Sequence, residues 1–252
     1  VTHIIRGEDH VTNSASQIEI FEALAGKGAS PNLGHMALLV GADGDKLSKR
    51  LGSLSVESLR DEEGFEPMAI TSLLAKIGTS DPVEVRETIE ALAAEFDFAK
   101  LSRTPARFDP ADLARLNAKL VHAMDYADVK ERLTDLGADG GEAFWAAVRA
   151  NLERVRDVIE WKALVEGPVT PVIEDAGYAA EAAALLPEGE YTLETWGAWT
   201  SAIKEKTGRK GRDLFKPLRL ALTGQERGPE MDQLLMLIGR ERAVKRLAGE
   251  IA

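Results

Sequence analysis

The chain has 252 residues, of which 44% are hydrophobic and 29% charged, and its net charge is −11. Charged residues interrupt every stretch of about 18 residues, which excludes a membrane span and favours a globular protein without a membrane partner. The absence of cysteine excludes disulfides and thiolate metal sites, and the four histidines show no metal-ligand spacing, so no protein-bound zinc or other metal is expected. With no signal peptide at the start, the sequence predicts a cytoplasmic location.

The charge is unevenly distributed along the chain. Residues 201–252 contain 12 Lys or Arg and 7 Asp or Glu, whereas residues 1–200 contain 19 and 35. The first set has a net charge of +5 and the second of −16. Such asymmetry indicates an interaction surface on one part of the chain, although a solvated helix face explains many such runs.

The first 41 residues have the pattern of an α/β unit. Residues 2–5 predict a short buried strand, and residues 13–28 predict a helix with Ile18, Phe21 and Leu24 on one face and Gly26 as its stop. The apolar segment HMALLVG, residues 35–41, predicts a second strand. A strand, a helix and a strand at this spacing are typical of parallel strands.

Helical spacing dominates after Ser55, which is a predicted N-cap. Helices are also expected to begin at Pro110, after Asp109, and after Asp125. The segments with helical apolar spacing are residues 56–64, 67–78, 110–124, 127–137 and 142–167. Beyond residue 81 no sustained alternation of polar and apolar residues occurs, which predicts an all-helical remainder. Residues 166–177, with two prolines, mark either a boundary between two helical bundles or a long loop within one bundle.

A basic loop follows the second predicted strand. Lys46, Lys49 and Arg50 come after Gly41 and Gly44. Ligands of α/β sheets bind at the carboxyl ends of the strands, where a loop carrying lysines can close over a nucleotide and contact its phosphates. The alternative is an ordinary surface hairpin, and the order of residues differs from that of a phosphate-binding P-loop.

The segment DKLSKRLGSLSV, residues 45–56, resembles the Lys-Met-Ser-Lys-Ser signature of class I aminoacyl-tRNA synthetases, in the Lys-Leu-Ser-Lys-Arg form typical of glutamyl-tRNA synthetases. THIIRGEDH, residues 2–10, is similar to the Ile-Arg-Gly-Glu-Asp-His strand of the same family. Residues 107–120 and 208–247 are similar to segments of the helical tRNA-binding half of the bacterial enzymes. The resemblance covers essentially the whole chain and implies ATP-dependent attachment of L-glutamate to tRNA.

The resemblance also implies roles for individual residues. The catalytic and ATP-binding residues it implies are Lys49, Lys46 and Ser48 in the basic loop, with His10 and His35 also at the ATP site and Mg²⁺ accompanying ATP. Arg6 and Asp9 are implied to bind glutamate, because a guanidinium binds a carboxylate in a bidentate manner that lysine cannot reproduce. Two alternatives remain, since Arg6 could instead pair with Glu8 or Asp9 and His35 could be a packed residue at the strand edge.

The resemblance predicts a mostly α chain, in which the end of a class I α/β nucleotide-binding catalytic domain precedes all-helical tRNA-binding domains. The implied domains are residues 1–60 with the basic loop, residues 61–118 as a helical connecting domain, and residues 119–252 as the anticodon-binding region. The last region is expected to be either one helical bundle or two with a break near residues 166–177. The family's second ATP motif, of the His-Ile-Gly-His type, has no counterpart here. The chain is therefore expected to be the C-terminal portion of a longer, monomeric enzyme and to be inactive in aminoacylation by itself.

A second basic segment lies near the end of the chain. Residues 204–219 contain seven basic and two acidic residues, and Gly208 and Gly211 predict a turn between helices. Arg209, Lys210 and Arg212 are expected to contact tRNA phosphates near the anticodon, the alternative being a solvated helix end. Arg219, further along, is set aside as a packed residue.

Other classes of protein remain open. A helical RNA-binding module would bind tRNA without ATP, and a helical scaffold would bind neither. The glutamyl-queuosine type of enzyme lacks a long helical half such as that from residue 59 onward, and glutaminyl-tRNA synthetases have β-barrel anticodon domains, which the helical pattern disfavours.

Overall fold

The computed structural model describes residues 1–41, 44 and 55–252. Helices predominate there, which confirms the mostly α prediction. The helices are α1 Ser14–Ala25, α2 Val56–Asp61, α3 Pro67–Lys76, α4 Ile89–Glu95, α5 Pro110–Ala123, α6 Tyr126–Asp135, α7 Gly141–Val148, α8 Val158–Glu166, α9 Ala176–Ala184, α10 Leu193–Thr207, α11 Arg212–Thr223 and α12 Met231–Leu247. The strands are β1 His3–Gly7, β2 Asn32–Met36, β3 Leu39–Gly41 and β4 Ala106–Phe108. None of these helices is long and apolar enough to cross a membrane.

The chain forms two compact units, residues 1–120 and 121–252. In the first unit β1 and β2 pair in parallel and α1 connects them, which confirms the predicted order of elements and the parallel pairing. The prediction of one strand over residues 35–41 was wrong. That segment contains the end of β2 and all of β3, and β3 pairs in parallel with β4 instead. Because the two strands have different partners, the chain leaves the first sheet between them.

The helix starts predicted at Ser55 and Pro110 in the first unit are confirmed. The Ser55 hydroxyl accepts a hydrogen bond of 2.9 Å from the Ser58 amide, as an N-cap does. Asp109 accepts from the Ala111 amide at 2.8 Å, so that α5 begins at Pro110 as predicted. The short strand β4 lies after residue 81, where an all-helical remainder was expected. Three residues are too few to show the alternation that identifies a strand.

The second unit has one hydrophobic core. Trp145 and Trp199 are fully buried in it, and residues from α7 through α12 contribute. Residues on both sides of the segment 167–175 belong to this same core. Asp125 is the N-cap of α6, and its amide donates to the Asp128 carboxylate at 3.3 Å, as in a capping box.

One predicted helix of the second unit was wrong in extent. The segment 142–167 contains α7, short 3₁₀ turns at Arg149–Asn151 and Val155–Asp157, and α8. The Asp157 carboxylate accepts hydrogen bonds from the amides of Glu153 and Arg154, at 3.1 and 2.7 Å. These bonds give the backbone an alternative to continuing the helix, and α8 starts anew after them.

A buried arginine joins three chain segments in the second unit. The Arg246 guanidinium donates to the carbonyl oxygens of Ala252 at 2.7 Å, Leu222 at 2.9 Å and Gly167 at 3.1 Å. Its side chain is fully buried, and burial lowers the pKa of Arg246 to about 10. The ends of α8 and α11 are therefore held to the end of α12.

Candidate functional site

The first group of candidate residues lies where β1 ends. In the parallel register Arg6 of β1 is opposite His35 of β2. A 3₁₀ turn at Glu8–Asn13 then returns the chain, so that the first turn of α1 faces Arg6. Arg6 donates to Gln17 Oε1 at 2.5 Å, to Ser14 Oγ at 2.9 Å and to His35 Nε2 at 3.4 Å. The structure thus brings Arg6 and His35 together.

The side chains of Gln17, Ser14 and His35 orient the Arg6 guanidinium. Within the part of the chain that the structure describes, no carboxylate lies within ion-pair distance of Arg6, neither Glu8 nor Asp9. Its charge is therefore not neutralised by a carboxylate among these residues. A bidentate carboxylate is the partner that a guanidinium fits best.

Asp9 and His10 lie at the exposed surface of the turn. The Asp9 carboxylate approaches the backbone of Gly7 so closely that a Cβ at that position would lie 2.5 Å from Asp9 Oδ1. A side chain at position 7 would therefore displace the Asp9 carboxylate. The His10 ring is 3.5 Å from the amide nitrogen of Asn13, next to Ser14.

The basic loop is mostly outside the described residues, and Lys46, Ser48 and Lys49 are among the positions not described. Its start is described. The Gly44 amide donates to the Gly41 carbonyl at 2.8 Å, and Gly44 has a φ of +88°. The chain therefore turns directly after the carboxyl end of β3, the end at which α/β sheets bind ligands.

The second group lies on the turn between α10 and α11. Gly208 and Gly211 have φ of +73° and +53°, which confirms the predicted turn. Arg209 forms an ion pair of 2.5 Å with Asp175, and its guanidinium lies 4.0 Å from the centre of the Tyr178 ring. Lys210 and Arg212 are exposed, and neither has an ion pair among the described residues.

Arg209 and Tyr178 thus link the turn to the start of α9. The Asp175 side chain caps α9, where it accepts from the Tyr178 amide, and this bond together with Arg209 keeps the pKa of Asp175 below its usual range. The Tyr178 hydroxyl donates to the Leu214 carbonyl of α11 at 2.8 Å.

A cleft of about 590 Å³ lies next to this turn, between α10, α11 and the start of α12. It is lined by the residues Trp196, Arg212, Phe215, Lys216, Arg219, Glu226, Arg227, Glu230, Met231 and Asp232. The Trp196 and Phe215 rings are 6.2 Å apart and inclined by 34°, and Phe215 is 44% exposed. Aromatic rings beside several cations are the composition that nucleic-acid bases and phosphates favour.

Two cations of the cleft differ in their surroundings. Lys216 pairs with Glu226 at 2.8 Å, and this hydrogen bond raises its pKa. Arg219 donates through Nη2 to the Pro229 carbonyl at 2.7 Å, while its Nη1 is buried without a hydrogen-bond partner. Burial lowers the pKa of Arg219. A buried guanidinium nitrogen without a partner is costly, and because Nη1 is closed off from solvent, an acceptor in the cleft would reach it only if the side chain moved.

The sequence interpretation missed most of this cleft and set Arg219 aside. One signal was present, however. Arg212, Phe215, Lys216 and Arg219 follow the spacing i, i+3, i+4, i+7, which places them on one face of α11. That face carries three cations and an aromatic ring, whereas the core side of the helix carries leucines.

Groups of three or more side chains that could hold a metal ion are not found among the residues that the structure describes.

Comparisons with known proteins agree with this arrangement. Residues 1–115 match the family described as tRNA synthetases class I (E and Q), catalytic domain, and residues 173–251 match the anticodon binding domain family. The chain is 62% identical over its whole length to glutamate–tRNA ligase 1 of Maricaulis maris and 57% identical over 98% of its length to glutamate–tRNA ligase 2 of Hyphomonas neptunium.

The fold is also similar to that of a solved structure. A glutamate tRNA ligase from Elizabethkingia meningosepticum superposes with a TM-score of 0.80 at 21% identity, over 98% of this chain and 56% of that one. The chain likewise spans 56% of the length of the two curated relatives. Identities of 50–62% along the chain show that it belongs to the glutamate–tRNA ligase family of class I aminoacyl-tRNA synthetases.

Proposed function

We propose that the chain is part of a ligase that attaches L-glutamate to tRNA at the expense of ATP. In this reaction the glutamate carboxylate attacks the α-phosphate of ATP and pyrophosphate leaves. A hydroxyl at the 3′ end of tRNA then attacks the activated carbonyl and AMP leaves. The relatives' names and the catalytic-domain match support the reaction, and the cleft of the second unit supports the RNA substrate.

The cleft is the observation that carries the proposal. It combines two aromatic rings with the cations Arg212, Lys216, Arg219 and Arg227, and the exposed Lys210 lies two positions before Arg212 in the chain. Single-stranded RNA loops are bound by stacking of unpaired bases on aromatic and guanidinium groups and by cations at the phosphates. The cleft lies within the segment that matches anticodon binding domains, so an anticodon loop fits both its position and its chemistry.

In the first unit the proposal assigns substrate contacts. Arg6 binds the glutamate carboxylate, with Asp9 beside it, and His10 and His35 border the ATP site. In the basic loop Lys49 and Lys46 stabilise the charge that develops on the phosphates, and Ser48 fixes the loop. Mg²⁺ enters with ATP as part of the substrate. The proposal places the enzyme in the cytoplasm as a monomer.

The test is binding of tRNA for glutamate to the 252-residue chain and to its Arg219→Gln variant. Loss of a charged hydrogen-bond donor, worth about 1.5 to 3 kcal/mol, should weaken binding roughly 10- to 100-fold. Arg242→Gln is the matched control, since this arginine of α12 does not line the cleft. Equal affinities of the wild-type chain and Arg219→Gln, with the fold intact by circular dichroism, would contradict the RNA-binding role of the cleft.

A further inference from the structure

The loop between α11 and α12 holds the Arg219 side chain in place. This loop contains Pro229, whose carbonyl accepts the 2.7 Å hydrogen bond from Arg219 Nη2. Two glycines of the loop have positive φ, +69° at Gly224 and +142° at Gly228. The position of the loop therefore determines the orientation of the guanidinium.

A tryptophan from a distant helix supports this loop. Trp161 belongs to α8, and its six-membered ring lies against Gly228. A Cβ at position 228 would be 2.6 Å from Trp161 Cη2 and 2.8 Å from Cζ3, distances at which one of the two groups must move. The ring is large and packs against the core of the second unit, so movement would fall largely on the loop.

The same site adjoins the unpartnered nitrogen of Arg219. A Cβ at position 228 would lie 3.5 Å from Arg219 Nη1. The Pro229 carbonyl thus holds the guanidinium at Nη2, and the backbone of Gly228 lies on the side of Nη1. Trp161 fixes that backbone from behind.

We propose that Trp161 and Gly228 are positioning residues for RNA binding, which act by holding the α11–α12 loop so that Arg219 keeps one orientation in the cleft. This inference rests on the proposed function, because it assumes that Arg219 contributes to RNA binding. Trp161 lies outside the segment that matches anticodon binding domains, residues 173–251. Neither residue needs to touch the RNA.

The experiment is a double-mutant cycle in the 252-residue chain, with tRNA for glutamate as the probe. Gly228→Ala should weaken binding about tenfold in the wild-type background. In the Arg219→Gln background the same change should weaken binding less than twofold, because the residue through which it acts is gone. A merely structural role would lower the affinity alike in both backgrounds.

Gly189→Ala is the matched control. Gly189 also has a positive φ, +92°, but a Cβ there meets no atom within 4 Å, so the substitution strains the backbone without a collision. It should leave the affinity unchanged. Should Gly228→Ala not fold, Trp161→Phe removes the contacting ring edge and is expected to weaken binding several-fold, again only when Arg219 is present.

These variants distinguish a failure of the positioning role from a failure of the proposed RNA-binding role of the cleft. If Arg219→Gln weakens binding but Gly228→Ala and Trp161→Phe do not, or if they act equally in both backgrounds, the positioning role is wrong. If Arg219→Gln itself has no effect, the proposed role of the cleft fails, and the positioning role fails with it.

Discussion

At the scale of single residues, the surroundings of an arginine determine what it can bind. Arg6 is surrounded by a serine, a glutamine and a histidine, which accept its hydrogen bonds without neutralising its charge. Arg209 is neutralised by Asp175 and covers a tyrosine ring. The first arrangement leaves the charge for a ligand, and the second uses it to join two helices.

Arg6→Lys in the proposed glutamate–tRNA ligase should raise the KM for glutamate at least tenfold and leave the KM for ATP nearly unchanged. Lysine keeps the charge but loses the two parallel hydrogen bonds to a carboxylate. Steady-state kinetics with each substrate varied in turn give the two constants. Equal rises in both would indicate that Arg6 only supports the fold.

Lys49→Ala in the same enzyme should slow pyrophosphate exchange by roughly 10²- to 10³-fold, the scale for losing one preorganised electrostatic stabiliser. The affinity for tRNA should not change. Lys27→Ala is a suitable control, because this exposed lysine follows α1 rather than the basic loop. Near-normal exchange in the Lys49 variant would refute the role assigned to the loop.

At the scale of elements, the turn between α10 and α11 separates two kinds of cation. Gly208 and Gly211 allow four residues to reverse the chain, and they leave Lys210 and Arg212 exposed, of which Arg212 lines the cleft. Arg209, between the same glycines, is directed to α9. Neighbouring residues of one basic run thus have different environments.

The double substitution Lys210→Gln and Arg212→Gln should reduce the magnitude of the slope of log K for tRNA binding against log salt by about 1.5. Each neutralised phosphate contributes roughly 0.7 to 0.9 to this slope. Arg209→Gln should lower the thermal midpoint more than it changes this slope. Lys130→Gln with Arg242→Gln is the matched control, because neither residue lies on the turn. An unchanged slope in the Lys210 and Arg212 variant would show that the turn is only a solvated helix connection.

A cluster of charges stabilises the helices of the first unit. Lys76 of α3 is 5% exposed and pairs with Glu95 and with Asp81, the latter at 3.2 Å. Lys100 also pairs with Asp81 and Arg86 with Glu95, at 3.0 and 2.7 Å. The pKa of Asp81 is lowered chiefly by its hydrogen bond from Lys100, and that of Glu95 chiefly by its bond from Arg86.

The directions of these pKa shifts determine how the folding stability depends on pH. Carboxylates with a lowered folded pKa add stability above their ordinary values of 3.8 and 4.5, and this stability is lost as the pH falls through the lowered values. The pKa of Lys76 is raised, chiefly by Glu95, so its contribution is lost only at pH values above 10.5. The cluster should therefore be fully effective near pH 7.

Lys76→Met should lower the thermal midpoint at pH 7 by on the order of 5 °C and make its decline below about pH 4.5 less steep. Thermal unfolding followed by circular dichroism over a pH series measures both. Arg60→Met, which breaks an exposed pair with Asp61, should change neither appreciably. If the thermal midpoint fell with pH in the same way in the wild type and in Lys76→Met, the cluster would not be a cause of the acid dependence of stability.

At the scale of the whole molecule, charge and fold divide the chain differently. The basic excess is confined to residues 201–252, whereas the second compact unit begins at residue 121. The proposed RNA-binding surface is therefore a local feature of that unit, formed by α10 to α12. A negative net charge for the chain does not prevent such a surface from binding an anion.

The 252-residue chain should bind tRNA with a dissociation constant that rises with salt, and it should form no glutamyl-adenylate. Its sequence contains one of the two ATP motifs expected from the family resemblance. Pyrophosphate exchange with ATP and glutamate, run beside tRNA binding at several salt concentrations, tests both statements. Appreciable exchange would mean that the second motif is dispensable.

Much of the fold follows from local sequence signals. Ser55, Pro110 and Asp125 mark helix starts because the cap depends on neighbouring residues alone. Other features depend on partners far along the chain. The strand β4 has three residues and exists because β3 lies beside it, and the helix predicted over residues 142–167 is interrupted where Asp157 binds two backbone amides.

In the candidate site, too, some features follow from neighbouring residues in the sequence and others depend on residues far apart in it. The basic turn could be predicted, since glycines and cations are adjacent in sequence. The contacts of Arg209 with Asp175 and Tyr178 could not, because 34 and 31 positions separate them from it in the chain. Arg219 resembled a packed residue, and its place in a cleft emerges only once α10, α11 and α12 are assembled.

The shared core of the second unit has a consequence for protein engineering. A chimera that transplants residues 173–251 onto another synthetase would omit Trp161 and the buried side chains of α6, α7 and α8, among them Trp145. The grafted helices would then expose apolar surface, and the α11–α12 loop would lose its support. The shortest segment suited to such a chimera therefore starts at Val121, about 50 residues before the segment that matches anticodon binding domains.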